Sequence, residues 1–333
     1  MCEPQLTHAQ YNTHIMYLIS ESMSNFVKSQ PRPRLIFFGM PGYYSSAVFT
    51  ALLQSEVEVC AVVMPASSSP PGTKKNIQRR EPPQMQHTML LLTQRDAVPS
   101  IAQLTWQRQI PLWEIHHFRD SETMETLASY QADLWCVACF SMRFPAALLA
   151  LPRLGCLNVH PSLLPANRGP VPLFWTLREG HAVTGVTIHF LEERMDAGDI
   201  LAQKQVAVPD GITYDELDAF CAREGGELLA RTVRALWENR ATRRPQDEAQ
   251  SSYYSFPAEH DFVVKASEWD ARHVYNFVRG VSSWDIPVTL VDRDSSYIVY
   301  DAFDFGYDAT PVGEEDTCIR VICCKKGWIR VSV

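Results

Sequence analysis

The chain has 333 residues, a net charge of −8 at neutral pH and a pI near 5.7. An apolar share of 46% supports a sizeable core, and two domains are the usual expectation at this length. The acidic balance is unlike that of a protein that coats nucleic acid, although a local basic patch could still bind one. No stretch reaches the roughly twenty apolar residues that a membrane-spanning helix needs.

The folded core is predicted to begin at Arg34, after an N-terminal extension of residues 1–33. The apolar run 35–38 is typical of a buried strand, and a glycine turn follows it. Residues 45–54 have the apolar spacing of a helix, and 57–63 form a second strand. Strand, turn, helix and strand make the βαβ unit of a parallel sheet, so the sequence predicts a Rossmann-like α/β domain.

The alternation of strands and helices continues to about residue 208. The predicted helices are 97–109, 121–130 and 214–239, and the predicted strands are 89–92, 110–113, 134–140 and 186–190. Prolines interrupt the pattern over 65–83, which is predicted to be a long loop. A nicotinamide cofactor is disfavoured, because the chain has neither a Walker loop nor the G-x-G-x-x-G motif.

The C-terminal part differs in composition and is predicted to be a separate, small β-rich domain over 259–333, joined by a linker over 241–258. A short helix is expected at 270–280, with strands near 297–300, 319–321 and 328–331.

Nine cysteines occur, several of them in apolar runs, which favours a reducing, cytoplasmic compartment. Cys136 and Cys139 have metal or redox spacing but lie in one apolar strand-like run, where their side chains point apart. They are therefore interpreted as two buried thiols.

Three polar residues match the needs of acyl transfer to an amine. Asn158 and His160 are two apart, so an extended chain points both to one face, and Asp196 lies in a glycine-containing turn. Such transfer requires fixed donors for an oxyanion, a proton shuttle and a carboxylate that orients the imidazole. Taken singly, each motif is more often a simple turn element.

The ordered set of motifs is far more specific than any one of them. It consists of Asn-x-His-Pro-Ser-Leu-Leu-Pro (158–165), Arg-Gly-x-x-Pro (168–172), Thr-Gly-Val-Thr-Ile-His (184–189) and Asp-x-Gly-Asp-Ile (196–200). This set resembles the folate-dependent formyltransferase family. The resemblance implies that 34–240 is the catalytic domain, that Asn158, His160 and Asp196 are catalytic, and that 10-formyltetrahydrofolate donates the formyl group without a metal. It further implies a cofactor site at Phe140, Ser141, Met142, Ser162, Leu163, Leu164, Pro165 and Asp199.

The likeness extends over 34–333 to the branch of the family whose acceptor is initiator methionyl-tRNA. That resemblance implies an oligonucleotide-binding-like (OB-like) fold for the C-terminal domain and tRNA contacts from a basic loop with Lys74, Lys75, Arg79 and Arg80. The same charges also suit a merely solvated loop. Beyond the predicted linker, acidic residues outnumber basic ones, which is awkward for a phosphate backbone.

Three alternatives stay open at this point. The acceptor can be a small amine, such as a nucleotide-linked amino sugar. It can be water, although relatives of that kind lack the Asn of Asn-x-His. The chain can also be a non-catalytic folate- or RNA-binding module, which would not require all three polar residues.

Overall fold

A computed structural model describes residues 32–66, 75–83, 99–293, 295–308 and 318–333. The strand predicted at 89–92 and the side chain of Lys74 lie outside these ranges, as does nearly all of the N-terminal extension. Within them, no helix is both long and apolar enough to cross a membrane.

The N-terminal unit is built on an eight-stranded sheet. Its strands are β1 (Arg34–Gly39), β2 (Glu58–Pro65), β3 (Ile77–Arg79), β4 (Leu112–Ile115), β5 (Leu134–Ala138), β6 (Cys156–His160), β7 (Val183–Phe190) and β8 (Ile200–Ala207). The strand order is β3-β4-β2-β1-β5-β6-β7-β8. Strands β1, β2, β4, β5 and β6 are parallel, whereas β3, β7 and β8 pair antiparallel. The predicted α/β fold with a mostly parallel sheet is confirmed.

Helices cover both faces of this sheet, and the sheet separates the core into two apolar layers. The helices are α1 (Tyr43–Leu53), α2 (Ile101–Gln107), α3 (Ser121–Ser129), α4 (Ala146–Leu149), α5 (Pro172–Arg178) and α6 (Tyr214–Trp237). Local signals fix several of their starts: Thr213 and Glu216 form a capping box at α6, and the Asp120 carboxylate accepts from the Thr123 amide at α3.

Two local predictions are wrong. The loop expected over 65–83 contains the edge strand β3, which has little hydrophobic signal because only Ile77 of its three residues is buried. Helix α5, which begins at Pro172, is absent from the predicted helices. Proline suits the first position of a helix, and α5 is buried on almost all sides, so it lacks an amphipathic period.

The C-terminal unit is β-rich, as predicted. It contains β9 (Val263–Lys265), α7 (Ala271–Gly280), β10 (Val288–Asp292), β11 (Ser295–Val299), β12 (Asp301–Gly306), β13 (Ile319–Cys323) and β14 (Trp328–Ser332). These strands form two three-stranded sheets, ordered β11-β10-β9 and β12-β14-β13. The exact domain boundaries and the OB-like assignment stay predictions.

The two cysteines of the C-x-x-C sequence differ in their surroundings. Cys136 lies within β5 and is buried, whereas Cys139 lies beyond the end of the strand and is exposed. The prediction of two buried thiols is therefore wrong for Cys139, because β5 ends one residue before it.

Candidate active site

Most of the predicted catalytic and cofactor residues gather around the carboxyl ends of β5 and β6, whereas Asp199 and the predicted basic residues lie elsewhere. These two strands are parallel neighbours, so the segments that leave them, 139–142 and 161–165, lie at the same edge of the sheet. This edge is where open α/β sheets commonly bind ligands.

Strand β6 presents Asn158 and His160 to one face of the sheet. The intervening Val159 is buried in the layer that contains α1 and α6, whereas Cys156 belongs to the opposite layer. Since alternate residues of a strand share a face, Asn158 and His160 lie on the side of Cys156. In β7, His189 pairs with Asn158, and its ring Nε2 lies 3.2 Å from Asn158 Nδ2.

Asp196 reaches this cluster from the loop between β7 and β8. Its side chain is only 9% exposed, and its Oδ2 accepts a hydrogen bond of 2.9 Å from the Gly169 amide. Its Oδ1 lies 3.8 Å from His160 Nδ1 and 3.7 Å from His189 Nε2. The structure thus brings the three predicted residues together with a second histidine.

Hydrogen bonds to carbonyl groups fix which nitrogen of each imidazole carries a proton. His160 Nε2 lies 2.9 Å from the Asn167 carbonyl and must donate to it, which leaves Nδ1 facing Asp196. His189 Nδ1 donates in the same way to the Phe190 carbonyl at 2.8 Å. The Nε2 of neutral His189 is therefore an acceptor, and Asn158 Nδ2 donates to it.

Burial keeps His189 neutral. Desolvation lowers its pKa to about 4; nearby Asp196 opposes this shift, and His160 reinforces it. A neutral ring at physiological pH keeps its acceptor lone pair turned towards Asn158.

A threonine on β7 anchors the loop that follows His160. The Thr187 hydroxyl donates to the Ser162 carbonyl at 2.6 Å and accepts from the Leu164 amide at 3.2 Å. Leu163 packs over Gly185, where an added Cβ would lie 2.4 Å from a Leu163 methyl group. The predicted segment 162–165, which ends at Pro165, is thereby held beside Asn158 and His160.

The other predicted cofactor residues are more widely spread. Phe140 and Met142 are partly buried against the apolar layer on the Asn158 side, together with Leu191, whereas Ser141 is exposed. The main chain of Asp199 pairs with Phe190 at the start of β8. That position is at the opposite end of these strands from Ser162.

The predicted basic residues lie far from the cluster of Asn158, His160 and Asp196. Lys75 is exposed, Arg79 pairs with Glu81 at 3.1 Å, and Arg80 pairs with Glu114. Strand β3 is separated from β6 by five strand spacings, roughly 24 Å at about 4.8 Å each. A single ligand in contact with both regions must be large.

His189 was not identified from the sequence. It lies inside the 184–189 motif, but in an apolar strand a single histidine carries no sign of function. Its role emerges only from the register that places it opposite Asn158. Within the described ranges, no group of three or more His, Cys, Asp or Glu residues could hold a metal ion.

Comparisons with a family model and with individual proteins indicate the same family. Residues 34–233 match the model of the formyl transferase family. The methionyl-tRNA formyltransferase of Staphylococcus epidermidis is 30% identical over 266 residues, which cover 78% of this chain and 76% of that protein. The enzyme of the same name from Syntrophus aciditrophicus is 39% identical over 178 residues, covering 52% of this chain and 55% of that protein.

Solved structures share the fold at low sequence identity. An N-formyltransferase from Helicobacter canadensis, in complex with folinic acid and dTDP-3-aminofucose, aligns with a TM-score of 0.63 at 13% identity and covers 91% of this chain and 99% of that one. HypX from Aquifex aeolicus aligns with a TM-score of 0.54 at 14% identity, over 90% of this chain and 45% of that one. Because the family model matches most of the chain and relatives of 30% identity or more carry the same activity in their names, the chain belongs to the formyl transferase family and is a formyl-transferring enzyme.

Proposed function

We propose that the enzyme transfers a formyl group from 10-formyltetrahydrofolate to the amino group of initiator methionyl-tRNA. The observation that carries the chemistry is the buried cluster in which Asn158, His160 and Asp196 meet at the carboxyl edge of the sheet. The relatives named methionyl-tRNA formyltransferase support the acceptor. Supply of formylated initiator tRNA for translation would follow.

The surroundings of the cluster suit a folate. Phe140, Met142 and Leu191 are partly buried on the face of the sheet that carries Asn158. Apolar and aromatic side chains of this kind can cover the faces of a flat heterocycle, while nearby polar groups fix its orientation. These residues would hold the pterin, and the bound folate would supply the activated formyl group.

The protein groups have distinct roles in the transfer. A bond forms between the acceptor nitrogen and the formyl carbon, and the bond from that carbon to the folate nitrogen breaks. Asn158 donates one amide hydrogen to His189 and keeps a second for the oxygen that becomes negative. His160 can hold a proton at Nδ1 beside Asp196, so it can deliver a proton to the leaving nitrogen while the attacking amine loses one.

The distance between the basic residues and the site favours a macromolecular acceptor. Lys75, which is exposed, lies next to β3 at the end of the sheet, five strands from Asn158. A tRNA that places its aminoacyl end at Asn158 is long enough to contact that end through phosphates, and a small amine is not.

The charge of the C-terminal unit favours the second candidate, a nucleotide-linked amino sugar. Several of its cations are engaged by carboxylates, since Arg279 pairs with Asp301, Arg330 with Asp304, and Arg272 with Asp210. Paired arginines have little to offer a phosphate backbone.

A comparison of the two acceptors in separate assays tests the proposal. The enzyme is supplied with isotopically labelled 10-formyltetrahydrofolate and either initiator methionyl-tRNA or a dTDP-linked amino sugar, over a range of salt concentrations. We expect label in the methionyl group and a KM for tRNA that rises steeply with salt. A higher kcat/KM with the amino sugar would assign the second candidate instead, and an Asp196→Asn variant is the blank for both reactions.

A further inference from the structure

The segment predicted to be a simple linker lies against the active site. Residues 244–254, here called the strap, are fixed to two catalytic loops. The main chain of Arg244 exchanges two hydrogen bonds with Ile200, at 2.8 and 2.9 Å, beyond the Asp196 loop. At the other end, Ser252 and Tyr254 bond through their main chains to Arg168, at 2.9 and 3.0 Å, in the loop after His160.

One amide in the strap joins both loops. Gln246 Nε2 donates to the carbonyl groups of Asp196 and Gly198, both at 2.8 Å. Gln246 Oε1 accepts from Nε and Nη2 of Arg168, at 3.1 and 2.7 Å. The side chain thus uses both of its donor hydrogens and both acceptor lone pairs on groups of the active-site loops.

Arg168 is itself a buried charge that the strap neutralises. Its side chain is 3% exposed, and Glu248 accepts from Nη1 at 3.1 Å and from Nη2 at 2.8 Å. The hydrogen bond from Arg168, assisted by Arg194, lowers the pKa of Glu248 to about 2 despite an opposing desolvation effect. A buried guanidinium that is paired in this way has one defined position.

These contacts determine where the Asp196 carboxylate lies. Asp196 has a φ of 53°, a left-handed conformation that is uncommon for non-glycine residues but that aspartate adopts more readily than most. The two carbonyl groups that Gln246 binds are those of Asp196 itself and of Gly198, two residues later in the same turn. The donor to the carboxylate is the Gly169 amide, next to Arg168, which Gln246 also holds.

We infer that Gln246 is a positioning residue, which sets the distance between the Asp196 carboxylate and His160 by holding the two loops in register. The inference rests on the catalytic role proposed for Asp196. Gln246 itself contacts neither imidazole, and it acts on the reaction only through the loop that carries Asp196.

The substitution Gln246→Glu removes the donor N–H groups of this side chain and keeps an oxygen acceptor. A carboxylate still accepts from Arg168 but cannot donate to the carbonyl groups of Asp196 and Gly198. We expect kcat to fall about tenfold to a hundredfold, as for a displacement of roughly 1 Å at a catalytic group, with the KM for donor and acceptor nearly unchanged. Gln250→Glu is the matched control, because Gln250 bonds only to Asp247 within the strap.

Combination with Asp196→Asn distinguishes positioning from general stability. If Gln246 acts through Asp196, Gln246→Glu should slow the parent enzyme but leave the residual rate of Asp196→Asn unchanged. Equal fractional losses in both backgrounds would overturn the inference, as would a normal kcat for Gln246→Glu beside an inactive Asp196→Asn. A normal rate for Asp196→Asn would instead refute the catalytic role proposed for Asp196. If Gln246→Glu does not fold, the neutral Gln246→Met variant takes its place, with the same kcat loss expected.

Discussion

At the scale of single residues, the orientation of one amide decides what the site can do. Asn158 can present either an oxygen or an N–H to a bound formyl group. The neutral His189 ring accepts from Nδ2, which turns the amide so that the second N–H points away from His189. A donor held in this way need not reorganise when negative charge develops.

Removal of this donor should slow the chemical step. We expect Asn158→Ala to lower kcat by about a hundredfold to a thousandfold, with a small change in the KM for the folate. Steady-state kinetics with a saturating acceptor measures this. Asn276→Ala, which removes a similarly half-buried amide from α7 far from the site, should leave kcat within a factor of about three; a comparable loss there would point to a stability effect.

The low pKa of His189 predicts a pH dependence of stability. Its pKa is about 4 in the folded chain and about 6.5 when unfolded, so its contribution is fully present above pH 6.5 and is lost as the pH falls towards 4. The variant His189→Gln has no titrating group at this position. Its free energy of unfolding, relative to that of the wild type, should therefore rise by about 3 kcal/mol when the pH is lowered from 7 to 4. Urea unfolding of both proteins at each pH measures this difference, and parallel stability curves would contradict the assignment.

At the scale of structural elements, close backbone packing sets the geometry of the loops that carry Gly169 and Asp196. Gly169 has a φ of 119° and lies so near the strap that an added Cβ would stand 1.9 Å from the Tyr254 carbonyl oxygen. The same glycine donates its amide hydrogen to the Asp196 carboxylate at 2.9 Å, so a shift of its main chain would also move that donor.

Gly169→Ala should therefore displace the loop and impair both stability and activity. Gly42→Ala is the control, because Gly42 also has a positive φ, 144°, but nothing lies within 4 Å of its added Cβ. We expect Gly42→Ala to cost about 1–3 kcal/mol of unfolding free energy from backbone strain alone. Gly169→Ala should cost clearly more and lower kcat as well, as chemical denaturation and kinetics can show. Equal costs would mean that the contact with Tyr254 is unimportant.

Elements with a periodic pattern or a continuous apolar run were predictable, whereas the edge strand β3 and the buried helix α5 were not. The helix expected at 214–239 is found at Tyr214–Trp237, because its apolar stripe and capping box are local signals. Helix α5 has no polar face, since two units of the protein cover it. The strap has no pattern at all, because its side chains bind to loops rather than to a regular core.

At the scale of the whole molecule, the N-terminal and C-terminal units share one apolar core. The ring of Phe174 in α5 packs between the units, with its centroid 5.2 Å from Phe262 and from Trp284 and 5.8 Å from Phe277. Gly211 and Asn276 add a hydrogen bond of 2.9 Å across the same boundary. The two units should therefore unfold together.

Phe174→Ala tests this coupling. Loss of a fully buried phenylalanine should lower the free energy of unfolding by about 3–5 kcal/mol. In the wild type, far-ultraviolet circular dichroism and tryptophan fluorescence should report one coincident transition. In the variant, the two probes should separate only if each unit is stable on its own. Two separate transitions in the wild type would contradict a shared core.

The sequence by itself determined the alternation of strands and helices, the β-rich character of the C-terminal part, and the spacing that puts Asn158 and His160 on one face. Each of these follows from local periodicity or from an ordered set of motifs. Only the tertiary structure decided that His189 orients Asn158 and that residues 244–254 hold the Asp196 loop. Those contacts join residues that are 31 and 50 positions apart, and their geometry depends on strand register and loop packing, which no local pattern encodes.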